Sequence, residues 1–205
     1  MIEKPMSRAE TDEELLLEMR SGDEQAFVDL YRRRQGAIYR FALHMSGSPA
    51  VAEDVTQEVF LALIRDECGY DPDRGTLSGY LFGIARKLVL RSIERGRSDV
   101  ALEAEESGWP EMAAHADPLA DLTRREGIES LRRAVLALPR RYREVVLLCD
   151  LEEVDYADAA QVLGCPIGTV RSRLHRARAL LLDKLNQERK FRPAAGTWKP
   201  ARCAT

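Results

Sequence analysis

Residues 156–184, YADAAQVLGCPIGTVRSRLHRARALLLDK, decide how the rest of the chain is organised. They read as two short helices joined by a tight turn. Asp155 stands at the N-cap of the first, where Tyr156, Ala159, Ala160 and Leu163 recur at helical spacing. Gly164 suits the left-handed residue that ends such a helix, and Pro166 suits the first turn of the next. In the second helix Val170, Leu174, Ala177 and Leu181 make one apolar stripe. Thr169, Arg171, Ser172, Arg173, His175, Arg176 and Arg178 hold the remaining surface. From Cys165 to Lys190, seven Lys/Arg stand against two acids, a local charge of +5. A helix–turn–helix that is apolar on one side of its second helix and Arg-rich on the other is built to enter a DNA major groove. A solvated basic helix in an ordinary bundle would share the charge, but not the glycine turn and the unbroken basic face.

Composition bounds the rest. With 205 residues, the chain has room for one domain or two small ones. Hydrophobic content of 45% with 32% charged residues describes a soluble globular protein. The net charge of -3 hides strong local asymmetry and says little about partners. Cys68, Cys149, Cys165 and Cys203 form no CxxC and have no His at ligand spacing, which argues against a zinc site or a disulfide framework. No apolar run reaches the roughly 18–20 residues of a membrane span, and MIEKPMSRAE lacks the apolar core of a signal peptide. A cytoplasmic protein without direct membrane insertion is expected.

Upstream, Thr11 and Glu14 make a capping-box signature ahead of Leu15, Leu16 and Met19. Asp23 caps a long helix with Phe27, Leu30, Tyr31, Ile38, Phe41, Ala42 and Met45 in helical period. Ser48 and Pro49 open the next helix, in which Val51, Val55, Val59, Ala62 and Leu63 face a core. Asp54, Gln57, Glu58, Leu61 and Arg65 lie on another face, polar and mainly acidic with an apolar residue inside it. The pattern also suits a plain solvated face; an acidic surface makes poor contact with phosphates, so any partner it has would be a protein.

A Gly-, Asp- and Pro-rich loop over 68–78 leads to LSGYLFGIARKLVLRSIERGR, capped by Thr76. From Ile84 to Arg97 five Lys/Arg stand against Glu94, and Tyr80 and Phe82 sit just before them. Basic charge beside aromatic rings suits a single-strand binder: bases stack on rings while the backbone follows the charge. Phe82 reads more readily as core, Tyr80 as the open ring.

Residues 98–124 carry seven acids against Arg124, with Gly108, Pro110 and Pro118, and read as a linker. The expected architecture is therefore all-α. Two small helical domains, a bundle over 11–97 and a helix–turn–helix domain over 118–188, are joined by an acidic flexible linker over 98–117. A basic tail over 189–205 follows. In the second domain Leu122, Ile128, Leu131, Val135 and Leu138 are expected inward, and Pro139 separates two helices.

Three motifs make the chain resemble bacterial sigma factors of the extracytoplasmic-function (ECF) class, sigma-70 superfamily. AEDVTQEVFLAL (52–63) is similar to the family's core-polymerase-binding segment. GYLFGIARKLVLRSIERGR (79–97) is similar to the segment that melts and reads the −10 element. LPRRYREVVLLCDLEEVDYADAAQVLGCPIGTVRSRLHRARALL (138–182) is similar to the −35-binding domain. The resemblance implies that Asp54, Gln57, Glu58 and Leu61 dock on the clamp helices of core RNA polymerase. It implies that Arg74, Tyr80, Arg86, Lys87, Arg91 and Arg95 hold the melted −10 strand of promoter DNA. It implies that Thr169, Arg171, Ser172, Arg173, His175 and Arg176 contact the −35 duplex, and that an anti-sigma factor is a further partner. Where the family usually has Trp, Asn and Asp, this chain has Tyr80, Lys87 and Arg91; the surface is more basic, and a tyrosine can still stack.

No catalytic residue, metal ligand or cofactor is expected. His44, His115 and His175 are far apart in sequence, and neither a glycine-rich phosphate loop nor a nucleophile motif occurs. The alternative is a stand-alone helix–turn–helix regulator, which would leave the acidic-apolar face and the basic-aromatic helix without roles.

Overall fold

A computed structural model describes residues 11–65, 69–99 and 118–191. The acidic stretch over 100–117 and the tail from 192 onward, with the roles expected of them, lie outside the described residues. Those described form eight α-helices and no strand. The first four are α1 (Asp12–Arg20), α2 (Glu24–Ser46), α3 (Pro49–Ile64) and α4 (Leu77–Asp99). The second four are α5 (Pro118–Leu136), α6 (Arg140–Val146), α7 (Tyr156–Leu163) and α8 (Ile167–Phe191). The last runs into the tail expected from residue 189, and α4 ends two residues beyond the expected 97.

Local chemistry places most of these ends. The Glu14 N–H donates to Thr11 Oγ1 (3.2 Å) while Thr11 N–H donates to Glu14 Oε2 (2.8 Å), a closed capping box. Asp23 accepts from Gln25 N–H at 2.8 Å, and Thr76 Oγ1 accepts from Gly79 N–H at 3.1 Å. Gly164 ends α7 at φ 62°, in the left-handed region expected of it.

Asp155 departs from expectation: it occupies the N-cap of α7 but makes no side-chain capping bond. The backbone sets that entry instead. After α6 the helix widens into a π-type turn over Leu147–Leu151, Glu153 takes φ 54°, and Val154 N–H donates to Leu148 O at 2.8 Å.

Burial follows the apolar stripes with three corrections. Leu30, Ile38, Phe41, Ala42 and Met45 of α2 are buried, as are Val55, Val59 and Leu63 of α3. Phe82 is core, edge-on to Phe41 at 5.4 Å, a pairing worth about 0.5–1.5 kcal/mol beyond its area. Ile128 and Leu131, expected inward, are 46% and 36% exposed. Ala134 and Val135 of α5 are buried; a periodic stripe picks a face but not how far along it the partner helix reaches. Tyr156 is likewise at the surface, in the first turn of α7 with the Arg171 guanidinium 5.8 Å from its ring centre.

The two domains do not stand apart. Their buried apolar residues form one continuous cluster from Leu15 to Ala177. Arg143 of α6 donates to Met45 O at the end of α2 (2.8 Å), to Leu138 O (3.2 Å) and to Leu136 O. One guanidinium thereby satisfies carbonyls of both domains that their helices leave unpaired.

Candidate nucleic-acid interface

The site residues fall on three surfaces. On α3, Asp54, Gln57, Glu58 and Leu61 are all exposed, at the spacing that puts them on one helical face. Ile64, 53% exposed, extends the apolar part of that stripe by a turn.

The second surface is the start of α4 and the loop before it. Arg74, Tyr80 and Lys87 line one cavity of about 350 Å³, together with Tyr70, Thr76 and Gly79. Gly75 sits at φ 144°, where a side chain would be strained, and its carbonyl accepts from the Tyr70 hydroxyl at 3.0 Å. That bond holds the Tyr70 ring 5.4 Å from the Tyr80 ring, tilted by 54°. Burial, and then the nearby Glu13 carboxylate, push the Tyr70 hydroxyl above its ordinary pKa, so the ring stays neutral. Two aromatic rings with Arg74 and Lys87 around one cavity can take a base by stacking and its phosphate by charge.

Arg86 faces elsewhere. Its Nε and Nη2 meet the Glu144 carboxylate of α6 at 3.3 and 3.4 Å, and its Nη1 meets Val162 O of α7 at 3.4 Å. Arg91 and Arg95 are exposed further along α4.

The third surface is the outer side of α8. Arg171, Ser172, His175 and Arg176 are exposed, while Thr169 and Arg173 are half-buried. Ser172 Oγ donates back to Thr169 O at 3.1 Å. Arg178 is pinned to Asp150 at 3.0 Å through Nε, and that carboxylate raises its already high pKa. Beneath them Val170, Leu174 and Ala177 are buried, which fixes the helix's rotation and aims the exposed arginines at solvent.

Sequence reasoning missed the residues that join these surfaces. Tyr70 was one loop residue among many. Glu144, Glu152 and Asp158 carry no expected role, yet each pairs with a residue of the first domain. Glu152 makes a two-pronged pair with Arg40 at 3.1 and 2.7 Å. Asp158 Oδ1 accepts from Thr76 N–H at 3.4 Å and its Oδ2 from the Thr76 hydroxyl. The acid-rich run LEEVDYAD (151–158), inside an otherwise basic domain, was the available signal.

Comparison with known proteins gives a consistent picture. The family model described as Sigma-70 region 2 matches residues 30–98, and that described as Sigma-70, region 4, matches residues 128–181. The chain is 35% identical over 170 residues to the ECF RNA polymerase sigma factor SigE of Mycolicibacterium smegmatis, covering 80% of this chain and 65% of that protein. It is 33% identical over 172 residues to the ECF RNA polymerase sigma factor SigC of Mycobacterium tuberculosis, covering 82% and 89%. Among solved structures, the sigma factor RpoE of Bartonella quintana in complex with the anti-sigma factor NepR superposes with a TM-score of 0.59 at 25% identity. That match covers 77% of this chain and 97% of RpoE.

Proposed function

The chain belongs to the ECF class of the sigma-70 family, and from that premise we propose that it binds core RNA polymerase, directs it to promoters through −35 and −10 elements, and helps open the duplex. It carries no catalysis of its own and works in the cytoplasm; no described helix is long and apolar enough to cross a membrane.

Each surface takes one step. The acidic-apolar face of Asp54, Gln57, Glu58 and Leu61 docks on the polymerase clamp, where apolar Leu61 anchors and the acids supply register. Thr169, Arg171, Ser172, Arg173, His175 and Arg176 enter the −35 major groove. Arg171 and Arg176, exposed and directed outward, suit two-pronged guanine contact, whereas Arg178 is already committed to Asp150. Arg74, Tyr80 and Lys87, with Arg86, Arg91 and Arg95, hold the melted −10 strand, and an unstacked base enters the cavity that Tyr70 and Tyr80 line. An anti-sigma factor restrains it, as NepR accompanies RpoE.

The observation that carries this reading is the coexistence in one chain of an exposed acidic-apolar face, an aromatic-basic cavity and an exposed arginine helix. A stand-alone regulator would use only the third. The test is run-off transcription with purified core polymerase on fragmented genomic DNA. New salt-sensitive transcripts sharing an upstream sequence are expected. No transcripts, together with unaided binding to a specific duplex, would replace this reading by that of the regulator.

A further inference from the structure

The first turn of α1 stands behind the wall of the strand cavity without entering it. Glu13 is half-buried and does not line that cavity, yet one of its oxygens reaches two parts of the wall. Glu13 Oε1 accepts from Leu77 N–H, the first amide of α4, at 3.1 Å, and lies 3.5 Å from the Tyr70 hydroxyl. An amide in the first turn of a helix has no acceptor within that helix. Here a carboxylate 64 positions earlier in the chain supplies one, as a local cap would. Thr76 Oγ1 serves Gly79 N–H, so the two acceptors divide the open end of α4 between them.

The carboxylate is itself held in place. The capping box of Thr11 and Glu14 closes the turn on which Glu13 sits, and buried Leu15 and Leu16 fix the rotation of α1. Asp12 pairs with Arg33 at 2.8 Å and with Arg34 of α2, and Arg34 Nη1 reaches Ser78 Oγ of α4 at 3.3 Å. Two neighbouring acids of α1 thereby tie the start of α4, one directly and one through an arginine.

From that corner the path to the strand is short. Tyr70 donates to Gly75 O at 3.0 Å, and its ring stands 5.4 Å from that of Tyr80. At that separation the rings are in direct contact, so Tyr70 backs Tyr80 and leaves no gap for a base between them. Tyr80 N–H donates to Thr76 O at 3.0 Å. The backbone of Tyr80 and the ring behind it both rest on the corner that Glu13 holds.

Building on the −10 assignment above, we propose that Glu13 is a positioning residue for strand capture, setting through Leu77 N–H and Tyr70 the orientation in which Tyr80 meets an unstacked base. The sign of its effect separates this role from simple electrostatics. A carboxylate near a phosphate-binding surface repels the strand, so charge alone would make its removal tighten binding. Loss of a preorganising contact weakens binding instead.

The test uses the full chain assembled with core RNA polymerase. The probe is a fluorescein-labelled single strand carrying the −10 non-template sequence of a promoter found by run-off transcription. Strand affinity is read by anisotropy for wild type, Glu13→Ala, Glu13→Gln, Tyr80→Ala, and Glu13→Ala with Tyr80→Ala. Affinity for the −35 duplex is read on the same five proteins.

Glu13→Ala is expected to lower strand affinity about fivefold or more and to leave duplex affinity unchanged. Glu13→Gln keeps an oxygen for Leu77 N–H and should bind the strand as wild type does. With the Tyr80 ring already removed, Glu13→Ala should cost nothing further. Unchanged or tighter strand binding by Glu13→Ala would overturn the proposal. So would parallel losses of strand and duplex affinity, a full second loss in the paired variant, or a glutamine variant as weak as the alanine one. If run-off yields no promoter, or the wild-type holoenzyme does not bind the strand, the −10 assignment itself fails and the positioning role falls with it.

Discussion

Thr76 and Asp158 hold each other from opposite domains: the threonine that caps α4 gives both its backbone N–H and its hydroxyl to the carboxylate on α7. Its Oγ1 also accepts from Gly79 N–H, so one side chain serves a helix end and a domain contact together. Thr76→Ala is expected to cost about 1–2 kcal/mol of unfolding free energy from the lost cap. Paired with Asp158→Ala in a double-mutant cycle, it should show a coupling of about 0.5 kcal/mol or more in urea denaturation. Strict additivity would mean that the contact contributes nothing across the domains.

Arg143 should be costly to remove. Its guanidinium serves Met45 O, Leu136 O and Leu138 O, three helix-end carbonyls. Arg143→Met keeps the bulk and leaves those oxygens without their donor, at about 3 kcal/mol or more. Arg143→Lys should recover little, because an ammonium cannot reproduce the planar fork. The urea midpoints of the two variants check this, and a lysine variant at the wild-type midpoint would contradict it.

Strand binding should depend on a ring rather than a hydroxyl at position 80. Tyr80→Ala is expected to weaken capture of the non-template strand by about 1–3 kcal/mol, while Tyr80→Phe and Tyr80→Trp stay close to wild type. Promoter opening followed by permanganate reactivity of unpaired thymines reads the difference. Equal opening by the alanine variant would remove Tyr80 from the strand site.

The other two surfaces separate by assay. Arg171→Ala or Arg176→Ala should cost about 1–3 kcal/mol in −35 duplex recognition with core binding intact. Asp54→Ala combined with Glu58→Ala should weaken core affinity and spare the duplex. A titration in which the two classes of variant fail in the same assay would show that the faces are not independent.

His44 gives the fold an acid limit. Burial first, then the charges of Arg132 and Arg40, lower its pKa from 6.5 to about 4. A folded-state pKa below the unfolded one means that its contribution is complete above about pH 6.5 and lost as pH falls through about 4. Between pH 7 and pH 4 the wild type should lose about 1–3 kcal/mol more than His44→Gln does, by urea denaturation at each pH. Parallel losses in the two proteins would place the acid sensitivity elsewhere.

What could be read from the sequence was what is local in the chain. The capping box of Thr11 and Glu14, the cap at Thr76 and the left-handed Gly164 each involve residues within a turn of one another, and the structure carries all three. The buried stripe of α8 and the exposure of Arg171 and Arg176 follow from the same short-range periodicity. The docking of α7 on α4 was not legible, because it joins residues 82 positions apart through a carboxylate that any solvated helix could carry. Tyr70 escaped for a similar reason: its value lies in a carbonyl five residues on that turns its ring towards Tyr80. Ile128 and Leu131 erred the other way: their spacing is that of core residues, yet they are 46% and 36% exposed.

The distance along the chain between the two halves of the contact has a consequence during synthesis. Arg40 and Glu152 are 112 residues apart, so Arg40 is made well before the carboxylate that pairs with it. At about 5–20 residues per second that interval is roughly 5–20 s, far longer than a small helical bundle takes to fold. A newly made molecule therefore passes through a brief period in which Arg40 and Thr76 lack the carboxylates that the finished protein sets against them.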